Sequence, residues 1–106
     1  MNKSSKKPRY PTLPVAYDAR GASMGRRDCI MEPDAEIRFR LYRMPMSACG
    51  CYDSGGAYWG ASSSGVMYHA IGEGPDYVNE MFVRAPSREK AKETVLKAFP
   101  KASFYR

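Results

Sequence analysis

Only one stretch of this sequence repeats its apolar residues at the spacing of a helix. In REKAKETVLKAF, Ala91, Val95, Ala98 and Phe99 recur at i, i+4, i+7 and i+8, while Glu89, Lys90, Lys92, Glu93 and Lys97 fill the other side. Ser87 stands where an N-cap belongs, Glu89 favours the first turn, and Glu93 and Lys97 pair at i, i+4 in the favourable order. Pro100 ends the helix, because a proline pushes the residue before it out of the helical region. The remaining patterned stretches read as strands. The expected fold is therefore α+β: an antiparallel sheet of four to five strands in the order β-β-β-β-α-β, with one amphipathic helix packed on one face.

The clearest strand is EIRFRLYRM, Glu36 to Met44, where Ile37, Phe39 and Leu41 alternate with Arg38, Arg40 and Tyr42. Its outward face then carries two arginines and a tyrosine about 6.5 to 7 Å apart. Such a row is either a binding face or a solvated one. Pro45 stops the ladder, and MSACGCYDSGG supplies turn residues. AYWGA (57–61), SSSG and VMYHAI (66–71) read as a hairpin, with Gly60 marking a bulge or a close backbone approach. GEGP (72–75) leads into YVNEMFVRA (77–85), a central strand with both faces partly covered, and ASFY (102–105) forms a short last strand with Ala102 and Phe104 toward the helix.

At 106 residues the chain is one domain, too short to divide. Its formal charge of +6 is unevenly spread. Residues 1–14 hold Lys3, Lys6, Lys7 and Arg9 with no acid and three prolines, which describes a flexible basic arm. Residues 15–33 read as an irregular extended segment with Arg20, Arg26 and Arg27 among glycines, and residues 34–106 as the α+β domain. Excess positive charge points to a polyanion or an acidic protein surface as partner. A solubilising tail explains the arm equally well. The N-terminus has no apolar run of the kind a secretory signal requires, and no stretch is long and apolar enough to span a bilayer, so the expectation is a cytoplasmic protein without membrane contact.

The candidate chemistry is sparse. Cys29, Cys49, Cys51 and His69 are four conceivable zinc ligands, but the Cys-x-Cys spacing is not that of a structural zinc site, and free loop thiols are the plainer reading. No cofactor is expected. His69, with a carboxylate such as Glu36 or Glu73 and phosphate-binding arginines, permits a small toxin-like ribonuclease as a distant alternative, and a satisfied or solvated histidine as the ordinary one. In YDSGGAYWG (52–60), Tyr58 and Trp59 are candidates to stack on bases or fill a partner's pocket; Trp59 also suits the core, leaving Tyr58 exposed on the opposite face.

YDSGGAYWG followed by a hairpin, then FVRAPSREKAKETVLKAFPKASFYR, resembles small proteins of phages and other mobile elements, over roughly residues 36–106. The CGC before Tyr52 departs from that pattern. The resemblance implies a non-enzymatic protein acting in the host-cell cytoplasm, an anti-defence inhibitor of the anti-CRISPR kind that occludes a surface of nucleic-acid-handling machinery. Two binding readings follow. One is a protein that engages a host protein or nucleoprotein complex through its aromatic segment; the other is a direct DNA- or RNA-binding module. The expected binding residues are Arg38, Arg40, Tyr42, Arg43, Tyr58, Trp59, Lys6, Lys7, Arg9, Arg26 and Arg27. Exposed strand edges leave both a monomer and a homodimer open.

Overall fold

Alternation along Arg38–Arg43 builds β4, with Phe39 and Leu41 buried and Arg38, Arg40, Tyr42 and Arg43 exposed. The computed structural model describes residues 10–48, 50–60 and 66–106. Around β4 they form β1 (Thr12–Pro14), β2 (Ala16–Tyr17), β3 (Asp28–Ile30), β5 (Val66–Glu73), β6 (Val78–Ala85), α1 (Arg88–Ala98) and β7 (Ser103–Phe104). The main sheet runs β2-β6-β5-β4-β7, and β1 pairs with β3 in a separate two-stranded ribbon. The fold is α+β with a single helix among the described residues, as expected. The sheet, however, is mixed: β4, β5 and β6 are antiparallel, whereas β2 runs parallel to β6 and β7 parallel to β4. The two parallel strands are two residues long, too short to show any period in the sequence.

The helix caps as the sequence indicates: the Ser87 hydroxyl accepts from the Lys90 N–H at 3.2 Å. Ala91, Val95 and Phe99 pack on Phe39, Leu41, Ala70, Met81 and Val83 to form the main core, with Phe39 and Phe99 meeting edge-on at 5.0 Å. Gly72 is required here, since a Cβ would stand 2.7 Å from Ile37 Cγ2 and 2.8 Å from the Arg38 carbonyl. On the other face a smaller cluster gathers Ala16, Trp59 and Met67, with Met24, Met44, Met46 and Phe82 around it. No helix among the described residues is long and apolar enough to cross a membrane.

Several sequence expectations are corrected. Residues 57–60 form no strand, so the expected hairpin with 66–71 is absent among the described residues; Ala61 and the following SSSG lie outside them. Instead Asp53 organises a tight loop, its Oδ1 accepting from the Gly55 and Ala57 N–H groups at 2.9 Å each. A side chain that satisfies backbone donors locally removes them from any ladder. The hairpin present is β5–β6, eight pairs long, turning through Gly74 to Tyr77 two residues later than GEGP suggests. The segment 15–33 contains β2 and β3, and the end of the basic arm is held too: Thr12 to Pro14 pair with β3, and the Tyr10 hydroxyl donates to Asp76 at 3.1 Å.

Glu32 fastens β3 to that turn. It is fully buried, and its Oε1 accepts from Asn79 Nδ2 at 2.9 Å and the Tyr77 N–H at 3.1 Å, while Oε2 accepts from the Asp76 N–H at 2.9 Å. Asn79 returns the bond, its Oδ1 accepting from the Glu32 N–H at 2.7 Å. Burial pushes the Glu32 carboxyl upward, but the donors from Asn79, Asp76, Tyr77 and Tyr10 outweigh it and hold the group below its ordinary value.

Candidate nucleic-acid interface

Strand alternation sends Arg38, Arg40 and Tyr42 to the face opposite α1, where the register sets Arg40 beside Ile71 and Glu80, and Tyr42 beside His69 and Phe82. β7 then delivers Tyr105 next to β4, with the Tyr105 N–H donating to the Phe39 carbonyl at 2.9 Å. Both arginines stack on that tyrosine: the guanidinium carbons of Arg38 and Arg40 lie 4.1 and 4.3 Å from its ring centroid. Stacking orders two long side chains that would otherwise sample many rotamers, without consuming their N–H donors. Neither arginine has an ion pair among the described residues. Together with Ile71, Val78 and Glu73 they line an open cleft of about 490 Å³, and Tyr42, 51% exposed, stands farther along the same strand.

His69 belongs to this face but is engaged. Its Nε2 bonds the Glu80 carboxylate at 2.8 Å, and its ring stacks on Phe82 at 4.3 Å with the planes 8° apart. Tyr42 lies 6.4 Å from the ring. The histidine thus ties β5 to β6 across the sheet, and its partner is Glu80, not Glu36 or Glu73.

A second group of expected residues gathers around the Asp53 loop. Trp59 is buried against Phe82 at 4.9 Å, and its Nε1–H donates to Asp53 Oδ2 at 2.9 Å. That indole N–H, with the backbone donors of Ala57 and Gly55, holds the Asp53 carboxyl below the ordinary aspartate value. Arg26 covers the indole with its guanidinium carbon 4.2 Å from the ring centroid and donates to the Tyr58 carbonyl. Trp59 is therefore a core residue whose ring is already occupied. Tyr58 is 55% exposed and packs on Tyr52 at 5.2 Å, and Arg27 is exposed beside Arg26. Arg43 stands apart from both groups at the end of β4, and Lys6, Lys7 and Arg9 lie outside the described residues.

Among the described residues no three potential metal ligands come together: Cys29 packs on the main core, His69 faces the other way against Phe82, and Cys49 lies outside those residues. Sequence reasoning singled out neither Tyr105 nor Arg84. The signal for Tyr105 was its parity with Ser103 on the last strand; for Arg84 it was its parity with Phe82. Searches against family models, curated proteins and solved structures return no match, so what this face does is argued from its geometry alone.

Proposed function

We propose that this chain is a non-enzymatic binding protein whose exposed β4 face takes a single-stranded segment of nucleic acid. The observation that carries the reading is the pair of unpaired arginines stacked on Tyr105 in line with exposed Tyr42. Guanidinium planes and a tyrosine ring offer stacking surfaces for bases, and the guanidinium N–H groups suit phosphates. A broad sheet face with no projecting helix fits splayed bases better than a duplex groove.

The test is binding to random single- and double-stranded DNA and RNA at about 50 and 200 mM salt. Each phosphate contact on a single strand contributes about 0.7 to the log–log salt slope, so the double substitution R38A/R40A is expected to flatten the slope by about 1.4 and to weaken binding at low salt at least tenfold. Absence of binding at low salt, or an unchanged slope in R38A/R40A, overturns the reading.

A second reading has its own observation. Tyr52 and Tyr58, 45% and 55% exposed, form a tilted ring pair on a loop stiffened by Asp53, which is the character of an aromatic anchor for a protein pocket. In that case the partner is a host protein or nucleoprotein complex and the chain inhibits it by occlusion. Tyr58→Ala then abolishes capture of the partner while R38A/R40A spares it.

A further inference from the structure

Arg84 presents a charge that the fold does not balance. It lies on β6 on the face away from α1 and is only 2% exposed. Its Nη2 donates to the carbonyls of Gly50 and Trp59 at 3.2 Å each, and among the described residues no carboxylate reaches it. Asp53, the one acid of loop 45–60, has given its oxygens to the Trp59 indole and to backbone N–H groups. A guanidinium has five donors, and two carbonyls satisfy only part of them. Leaving a cation buried without a counter-charge is costly, whereas an anion supplied from outside offsets that cost and gains charge-assisted bonds.

A place for such an anion exists. Arg84 lines a cavity of about 460 Å³ together with Arg43, Met44, Met46, Ser47 and Gly50. Arg43, at the end of β4, also lines this space, is exposed, and has no ion pair among the described residues. The space opens to solvent, with Met44, Met46 and Met67 in its lining. The volume is within the range of sites that hold small ligands.

We infer that this cavity binds a phosphate group, free or borne on a nucleotide, between Arg84 and Arg43. The site is separate from the β4 face and does not rest on the reading given to that face. Thermal unfolding of the full chain in inorganic phosphate, against sodium chloride and sodium acetate of equal ionic strength, tests it. Phosphate at about ten times its dissociation constant is expected to raise Tm by on the order of 5 °C. Arg43→Gln, a change at an exposed position, is expected to weaken phosphate binding about tenfold without lowering Tm in chloride. A nucleoside 5′-monophosphate binding at least tenfold tighter than inorganic phosphate identifies the borne group, and equal or weaker binding identifies the free ion. No rise of Tm in phosphate, an equal rise in acetate, or an unchanged response in Arg43→Gln overturns the inference. Arg84→Gln is expected to remove the response; should that variant fail to fold, the Arg84 Nε–H resonance of the unaltered chain, followed by NMR during phosphate titration, replaces it, and a resonance that does not move counts against the site.

Discussion

Replacing Glu32 with Gln isolates the contact that fastens β3 to the β5–β6 turn. The carboxylate accepts three bonds, two on Oε1 and one on Oε2. A glutamine amide has one acceptor oxygen, so its NH2 must face a donor. In the better orientation the oxygen keeps Asn79 and Tyr77, and the NH2 meets the Asp76 N–H. One backbone donor is then orphaned, costing about 1–3 kcal/mol, and two charge-assisted bonds become neutral ones at about half the strength. The sum is about 3 kcal/mol, a large share of the stability of a domain this size. Urea unfolding followed by circular dichroism should place the Glu32→Gln midpoint about 2 M below the unaltered chain at pH 7, for an m-value of about 1.5 kcal/mol/M. The pH dependence has a definite sign. The folded-state value of Glu32 is lowered from the ordinary 4.5, so its contribution is complete above pH 4.5 and is lost as pH falls through the folded value. Glutamine does not titrate, and the gap between the two proteins should narrow from pH 7 to pH 3. A gap under about 1 kcal/mol at pH 7, or one that stays constant to pH 3, refutes the reasoning.

Two further substitutions probe the two faces of the sheet. Gly72→Ala drives a methyl group toward the Arg38 carbonyl and Ile37 on neighbouring backbone, so a loss of at least about 2 kcal/mol is expected in chemical unfolding, with no comparable loss for the same change at exposed, unstrained Gly55. Trp59→Ala should cost about 3–5 kcal/mol, because it empties the smaller core beneath the Asp53 loop, and calorimetry would read this as a fall in Tm of more than 10 °C. A fall of only 2–3 °C would mean that the loop closes over the space.

Elements with a regular period were legible. The alternation in EIRFRLYRM assigned each side chain of β4 to the face it occupies, and the apolar recurrence from Ala91 to Phe99 with Ser87 before it located the helix and its cap. What escaped depends on partners distant in sequence. β2 exists because β6 offers it an unpaired edge, and two residues hold no pattern that could announce this; β7 was legible in ASFY, but its parallel pairing with β4 was not. The run AYWGA (57–61) read as a strand, yet Asp53 captured donors a strand would have used. Trp59 was legible as core by size, whereas its burial under Arg26 was not, since that contact spans the chain from residue 26 to residue 59.

The same limits explain where the open surface lies. A helix of 11 residues is about 16 Å long and covers one face of the sheet. The other face must be covered by loops or left to water. Its β6 side is covered, because the Asp53 loop lays Trp59 over Phe82 and Met67 and the methionines at 24, 44 and 46 fill the margin. On the β4 side the residues that alternation sends outward are arginine and tyrosine, not further apolar ones. Guanidiniums on an exposed strand either extend singly into water or rest on a ring. Tyr105 gathers Arg38 and Arg40 onto one platform, paying part of their ordering entropy before any ligand arrives. On the reading proposed above, that order serves an external anion: Glu73 lines the same cleft without an ion pair to either arginine among the described residues, and the neighbouring Glu80 is bonded to His69.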